Sequence, residues 1–302
     1  MSDSTASLRH QISSAGDLKS VVRAMKALAA SSIGQYQRSV TALEDYHRSV
    51  ELGLGVCLRA GPTGTLKQER QGPTGRRAVG AIVFGSDQGL VGQFNETVAD
   101  FAIEALGFAA SASDRANSQP QVWAIGARAG TRLAERGLVP RAVLNMPTSV
   151  HGITPLAGQI LTETELSHDR GEIGELHLFY NRSTPGAGYT PCREPLLPLD
   201  ENWRTRQLNR PWPTKKLPQV MGHGTNTLQA LIGEYLFVSL FRAFAESLAS
   251  ENASRLAAMQ RADKNIDDLL ENLNGTFHRL RQTGIDEELF DVVSGFEALR
   301  KT

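Results

Sequence analysis

The sequence predicts an α/β fold: a long antiparallel coiled coil of N- and C-terminal helices plus a small Rossmann-like α/β domain. Three observations carry this. Apolar residues recur at steps of three and four from about Ser7 to Cys57, and again from Thr225 to about Leu299. Between these stretches, short apolar runs alternate with helical patterns, as in a mostly parallel sheet covered by helices. The expected divisions are an N-terminal coiled-coil helix at 1–57, a central α/β foot with Gly/Pro-rich connectors at 58–224, and a C-terminal coiled-coil helix at 225–302.

The first stripe is Leu8, Ile12, Ala15, Leu18, Val22, Met25, Leu28 or Ala29, Ile33, Tyr36, Val40, Leu43, Tyr46 or His47, Val50 and Leu54. At about 1.5 Å per residue this helix is roughly 75 Å long, with Gly16-Asp17 and Gly34 as the places where it could bend. Its other face is lopsided in charge: Arg9, Lys19, Arg23, Lys26 and Arg38 stand against Asp17 alone. That face is either simply solvated or meets an acidic partner.

Residues 60–77 are rich in Gly, Pro and Thr and read as a connector. Ala78–Phe84 (AVGAIVF) is a buried strand, followed by the loop Gly85–Gly92 and a helix over 93–106. Gln121–Ile125 is a second strand, 127–136 a helix, 141–145 a third strand, 153–168 a helix, and 175–180 (ELHLFY) another strand. The stretch 108–120 reads as loose, and Ser183–Gly224, rich in Pro and Gly, as a wrapping segment.

The last helix carries Leu228, Ile232, Tyr235, Val238, Phe241, Ala245, Leu248, Asn252, Leu256, Met259, Ala262, Ile266, Leu269, Leu273, Phe277 and Leu280. No proline interrupts it, and its glycines, Gly233, Gly275 and Gly284, each weaken a helix by only about 1 kcal/mol. Some 75 residues at about 1.5 Å each reach on the order of 110 Å, so the helix is expected to project and to need a partner for its stripe.

Composition narrows the function. With 32 basic and 32 acidic side chains the net charge is zero, which argues against a nucleic-acid partner. Cys57 and Cys192 show no CxxC spacing, which fits a reducing compartment without a structural metal. No run of about 18 apolar residues predicts a membrane span, and Met1–Ala6 lacks the charge and apolar core of a leader.

Two features invite an enzymatic reading. The loop Gly85-Ser86-Asp87-Gln88-Gly89-Leu90-Val91-Gly92 has the glycines of a phosphate cradle, but it matches neither GxGxxG nor GxxxxGK[ST] and has no lysine. The alternative is a structural strand-to-helix turn capped by Ser86 or Asp87. His10, His47, His151, His168, His177, His223 and His278 are scattered without HxxxH or HxxE pairs. No catalytic residue, cofactor or metal site is therefore expected.

Three blocks of residues point to a family. The first is Leu8-Arg9 with Val22-Arg23-Ala24-Met25-Lys26-Ala27-Leu28-Ala29-Ala30-Ser31; the second is Gly85–Gly92 with Asn95. The third is Leu248–Arg255, Ala258-Met259, Asn265, Arg281-Gln282, Ile285, Glu287-Glu288-Leu289 and Val293-Ser294-Gly295. In these blocks the chain resembles the gamma subunit of F-type ATP synthases, the central rotor stalk. It departs from the family's pattern at Gln88 and Val91, which stand for Arg and Cys, at Asp286, which stands for Thr, and in Met221–Asn226 before the last helix.

The resemblance implies a non-catalytic subunit that couples ion flow to ATP synthesis or hydrolysis by rotation. Its implied partners are the alpha and beta subunits of the catalytic ring, the epsilon subunit and the membrane rotor ring of c subunits. It further implies a peripheral protein on the cytoplasmic face of a bacterial plasma membrane. Contacts are expected at Arg23, Met25 and Lys26 on the first helix and at Arg281, Gln282 and Asp286 on the last, with Val292, Val293, Phe296 and Leu299 as an apolar tip. Met25 is equally read as a coil-core residue. Two other readings of the same pattern are a coiled-coil tether that dimerises through its stripes, and an α/β enzyme with helical arms that uses Gly85–Gly92.

Overall fold

The structure, a computed structural model, describes residues 2–60, 78–107, 119–184, 188–216, 218–220 and 224–300, with side chains described from Thr5 to Ser294 within those ranges. Of the connector expected at 60–77, Ala60 closes the first helix and 61–77 lie outside the described residues, as do 108–118 of the loose stretch expected at 108–120. The chain forms two compact units, one of Ala30–Ser254 and one of Met1–Ala29 with Arg255–Thr302.

The larger unit is built on a five-stranded mixed sheet. Its strands are β1 (Ala78–Phe84), β2 (Gln121–Ile125), β3 (Ala142–Leu144), β4 (Ile173–Thr184) and β5 (Gly188–Leu197), in the spatial order β3-β2-β1-β4-β5. The first three pairings are parallel and β4–β5 is antiparallel. Helices α2 (Phe94–Ala105), α3 (Ala127–Glu135), α4 (Val150–Asp169) and α5 (Glu201–Leu208) belong to this unit, and α1 (Ser2–Ala60) and α6 (Gly224–Arg300) each contribute part of their length.

Strand β1 explains why the sheet is covered on both faces. Successive side chains of a strand point to opposite sides. Ala81 and Val83 meet Val98, Ala99 and Ala102 of α2 and Leu133 of α3, while Ile82 and Phe84 meet Ile153 and Ile160 of α4 and Leu240, Phe244 and Leu248 of α6. A strand buried on both faces has no use for polar alternation, so AVGAIVF is apolar throughout.

Strand β5 and helix α5 correct the reading of 183–224 as a wrapping segment. Pro191 and Pro195 look like breakers, yet they pair opposite Asn181 and His177 in β5. That strand lies at the edge of the sheet, where a residue without an N–H is tolerated. Helix α5 is nearly all polar and gives no periodic signal. It starts because the Asp200 carboxylate accepts the Trp203 amide at 2.7 Å, and it is held by Trp203, buried with Val50, Leu54 and Leu228.

Helix α1 runs unbroken through Gly16 and Gly34, the expected bending points. A glycine costs a helix about 1 kcal/mol, too little to break one that is packed along its length. One window of α6 is apolar and long enough to cross a membrane by composition, which the residue-by-residue reading missed; half of it is buried in the protein. The physical reason is plain: over 238–241 and 243–254, α6 is buried on every side, so much of this stretch is apolar all round like a core helix.

Phe244 sits fully buried and edge-on to Phe84, ring centroids 4.8 Å apart. Phe244→Ala is expected to destabilise the protein by about 3–5 kcal/mol, measured as a lower urea midpoint, because it leaves a cavity between α6 and the sheet. An unchanged midpoint would refute this account of the core.

Candidate functional site

In open α/β sheets ligands bind beyond the carboxyl ends of the strands, where the strand order reverses. Here that place lies between β1 and β4, at the loop 85–92. Two close approaches shape it. A Cβ on Gly85 would stand 2.3 Å from Ala129 Cβ and 2.6 Å from Asn95 Oδ1, and Gly126, at φ +100°, has the Ser86 backbone 2.7 Å from where its Cβ would be.

The Ser86 and Asp87 side chains of the loop are taken by the protein itself. The Ser86 amide donates to Asn95 Oδ1 at 2.9 Å, Asn95 Nδ2 donates to Ser86 Oγ at 2.9 Å, and Ser86 Oγ–H donates to the Gln88 carbonyl at 2.8 Å. Asp87 accepts the Ala127 amide at 2.9 Å and the Met146 amide at 2.8 Å. Ala127 is the first residue of α3, so a carboxylate of the chain already fills the place where a helix N-terminus would bind a phosphate. The expectation that Ser86 or Asp87 caps the helix after the loop is corrected: Gln93 is the N-cap of α2, without a side-chain cap, and Asp87 serves α3 instead. From the other side, Ser254 Oγ–H of α6 donates to the Val91 carbonyl at 2.5 Å. The nucleotide reading of this loop fails on that geometry. Beside it, a shallow groove mixes Arg128 and Arg132 with Glu96 and Glu135, and Arg132 is already paired with both acids at 2.8 Å.

The smaller unit is where α1 and α6 meet through few side chains. Arg9 lies over the Phe277 ring, Lys19 pairs with Asp267, and Lys26 with Asp263, so residue numbers rise on one helix as they fall on the other: the pair is antiparallel. The buried seam on α1 passes through Ala15, Val22 and Ala29, with Ile12, Lys19 and Lys26 half-buried between them. On α6 it passes through Met259, Asp263, Ile266, Leu270 and Leu273.

Two stripe residues read from the sequence are therefore off the seam. Leu18 and Leu269 are exposed, and Lys19 and Leu270 take the inward positions. Where the stripe of α1 left two choices, Ala29 and His47 turn inward, while Leu28 and Tyr46 are exposed. Each outward residue is the chain neighbour of the inward one, and the apolar pattern alone cannot choose between them.

The expected contact residues fall into three places. Arg23 points outward, its side chain 64% exposed, and reaches Asp263 Oδ1 at 3.8 Å; Lys26 Nζ lies 2.9 Å from Asp263 Oδ2. Met25 is half-buried and packs on the Val22, Met259 and Ile266 cluster. Arg281, Gln282 and Asp286 are exposed on α6, and so are Val292 and Val293; the Phe296 and Leu299 side chains lie outside the described residues. The structure adds Ile285, Leu289 and Phe290, which with Val292 and Val293 expose a run of large apolar side chains. Asp263 and Asp267 were missed, because a single acid on a helix face carries no signal until the opposite helix supplies its lysine.

The Lys26 ammonium beside Asp263, with Arg23 and Lys19 nearby, holds its carboxyl below the ordinary aspartate range. Burial pushes His47 and His177 down, so both favour the neutral imidazole. Among the described residues no group of His, Cys, Asp and Glu is placed to hold a metal ion.

The family model described as ATP synthase matches residues 4–299. An ATP synthase gamma chain from Salinibacter ruber is 28% identical, the alignment covering 98% of this chain and 98% of that one. Among solved structures, a chain of the Euglena gracilis mitochondrial ATP synthase in rotational state 3 superposes with a TM-score of 0.64 at 13% identity, covering 99% of this chain and 95% of that one. A chain from the rotor of the same organism's ATP synthase in rotational state 1 gives 0.57 at 15% identity, covering 94% and 100%. At such identities the two structures speak for the fold.

Two outcomes follow from these contacts. Asp87→Ala strands two backbone amides and should cost about 1–3 kcal/mol, seen as a lower urea midpoint. The lowered carboxyl of Asp263 means that its pairing stabilises the fold above the ordinary aspartate value of 3.8 and is lost as pH falls below it. An NMR titration should find the Asp263 midpoint under that value, and Lys26→Ala should move it upward; no movement would show that Lys26 is not its partner.

Proposed function

The chain belongs to the ATP synthase gamma-chain family, and from that premise we propose that it works as the central stalk: a rotor shaft that couples ion flow through a membrane ring to ATP synthesis or hydrolysis in a catalytic ring. The observation that carries this is the extent of the match, residues 4–299, which takes in both paired helix ends and the sheet between them in sequence. The chain itself performs no chemistry. Its partners in this reading are the alpha and beta subunits, the epsilon subunit and the ring of c subunits, in a membrane-associated complex on the cytoplasmic face of a bacterial plasma membrane.

The physical task of such a shaft is to present unequal sides. One side of the α1–α6 pair carries Arg23, Lys26 and Lys19, and another part of α6 carries Arg281, Gln282 and Asp286. Turning the pair changes which charges face each catalytic subunit, and about 1.4 kcal/mol of difference changes a site's affinity tenfold. The coupling is reciprocal, so nucleotide binding biases the orientation of the shaft in return. The apolar run at 285–293 suits a hydrophobic sleeve in the ring. An unrelated coiled-coil tether has no support beside this family match.

ATP hydrolysis by matched, purified alpha and beta subunits, with and without this chain, tests the proposal. The expected result is a stable complex holding a single copy of the chain, and a rise in turnover that ending the chain before Ile285 weakens. Absence of both complex and stimulation would overturn it.

A further inference from the structure

The seam of the smaller unit holds lysine at two inward positions, Lys19 and Lys26, where a coil would ordinarily place an apolar residue. Each is answered from α6, Lys19 by Asp267 and Lys26 by Asp263. The two acids differ in what they hold. Asp267 is 52% exposed and pairs with Lys19, whereas Asp263 is 17% exposed and has both Lys26 and Arg23 within reach.

We propose that Arg23 and Lys26 meet an acidic surface of the catalytic ring and that Asp263 is its internal competitor, so that docking exchanges one carboxylate for another on the same cations. The inference rests on the shaft reading above. Lys26, close to Asp263 and half-buried, is the fixed part of the cluster. Arg23 is the part that moves: it is outward and 64% exposed, and its 3.8 Å approach is loose. A guanidinium carries five donors in a planar fork, so Arg23 can take up an incoming carboxylate before it leaves Asp263. Such an exchange keeps every cation paired throughout, which lowers the barrier to changing partners as a shaft turns. It also weakens each docking event, because the incoming acid gains only what Asp263 gives up. An exchange that begins at the exposed Arg23 guanidinium is screened by salt.

The test uses full-length chain and a ring assembled from matched alpha and beta subunits, with binding measured at low and high ionic strength. Asp263→Asn should tighten binding by about two- to fivefold at low salt, in keeping with the modest strength of exposed ion pairs. The gain should fade at high salt and vanish when Arg23→Gln and Lys26→Gln are added. Asp267→Asn, which removes the neighbouring interhelix pair without freeing those two cations, should give no gain. Asp263→Ser, whose hydroxyl can still accept from Lys26, guards against a simple failure of the helices to pair; melting curves of each variant report that separately. Unchanged or weaker binding by both Asp263 variants with intact melting would overturn the proposal, as would a gain that survives without Arg23 and Lys26. Failure of the unaltered chain to bind the ring would instead overturn the shaft reading itself, and this inference with it.

Discussion

The burial of α6 against the sheet is the constraint on which the larger unit depends. From 236 to 254 nearly every side chain of that helix is inside, although a lone amphipathic helix would bury only one stripe. Leu240, Phe244 and Leu248 pack on β1, β2 and β4, and the opposite side of the same turns is covered by other parts of the unit. The buried acid Glu246 in this segment is accommodated because it is paired. The Glu246 carboxylate accepts from Arg242 Nε at 2.7 Å and from Arg182 Nε of β4 at 2.8 Å, so one buried acid ties the helix to the sheet. Removing either arginine would leave a buried charge short of a partner, which is far costlier than losing an exposed pair.

Further along the same helix the rules change. In the smaller unit α6 buries only every third or fourth residue, and its seam with α1 is narrow: Ala15, Val22, Ala29, Met259 and Ile266 are its buried apolar members. So little apolar area leaves more of the outcome to charge. Half-buried lysines in the seam are answered by acids opposite, Lys19 by Asp267 and Lys26 by Asp263, pairings that favour this register of the two helices. The same lysines lie beside Arg23, so one small cluster both bridges the two helices and, in the proposed docking, furnishes the face offered to a partner.

The loop 85–92 stands where an open α/β sheet would offer a ligand site, and here it is put to another use. Its position at the reversal of strand order, its glycines and the nearby helix N-terminus would all suit a phosphate. Asp87 supplies the anion from within, Asn95 closes on Ser86, and Ser254 of α6 takes the Val91 carbonyl. The crevice becomes a joint between sheet and helix.

Much of this was legible in the residues. The stripes of the first and last helices, the apolar run of β1 and the bounds of β2 came directly from periodicity, because each records which faces a single element must bury. The family blocks, too, are local strings, readable without any tertiary knowledge. What the sequence left open was decided by packing between elements distant in the chain. Two prolines are allowed in β5 only because it lies at an edge, and polar α5 stands only because Trp203 finds Leu54 and Leu228. Leu18 and Lys19, or Leu269 and Leu270, are one step apart on a helix, and only the opposite helix can say which turns inward. The sequence by itself determined the two long helices, the parallel strands and the family; the tertiary structure decided β5, α5 and the seam, and with it the partnership of Lys26 and Asp263, since an ion pair spanning two ends of a chain exists only once those ends are brought together.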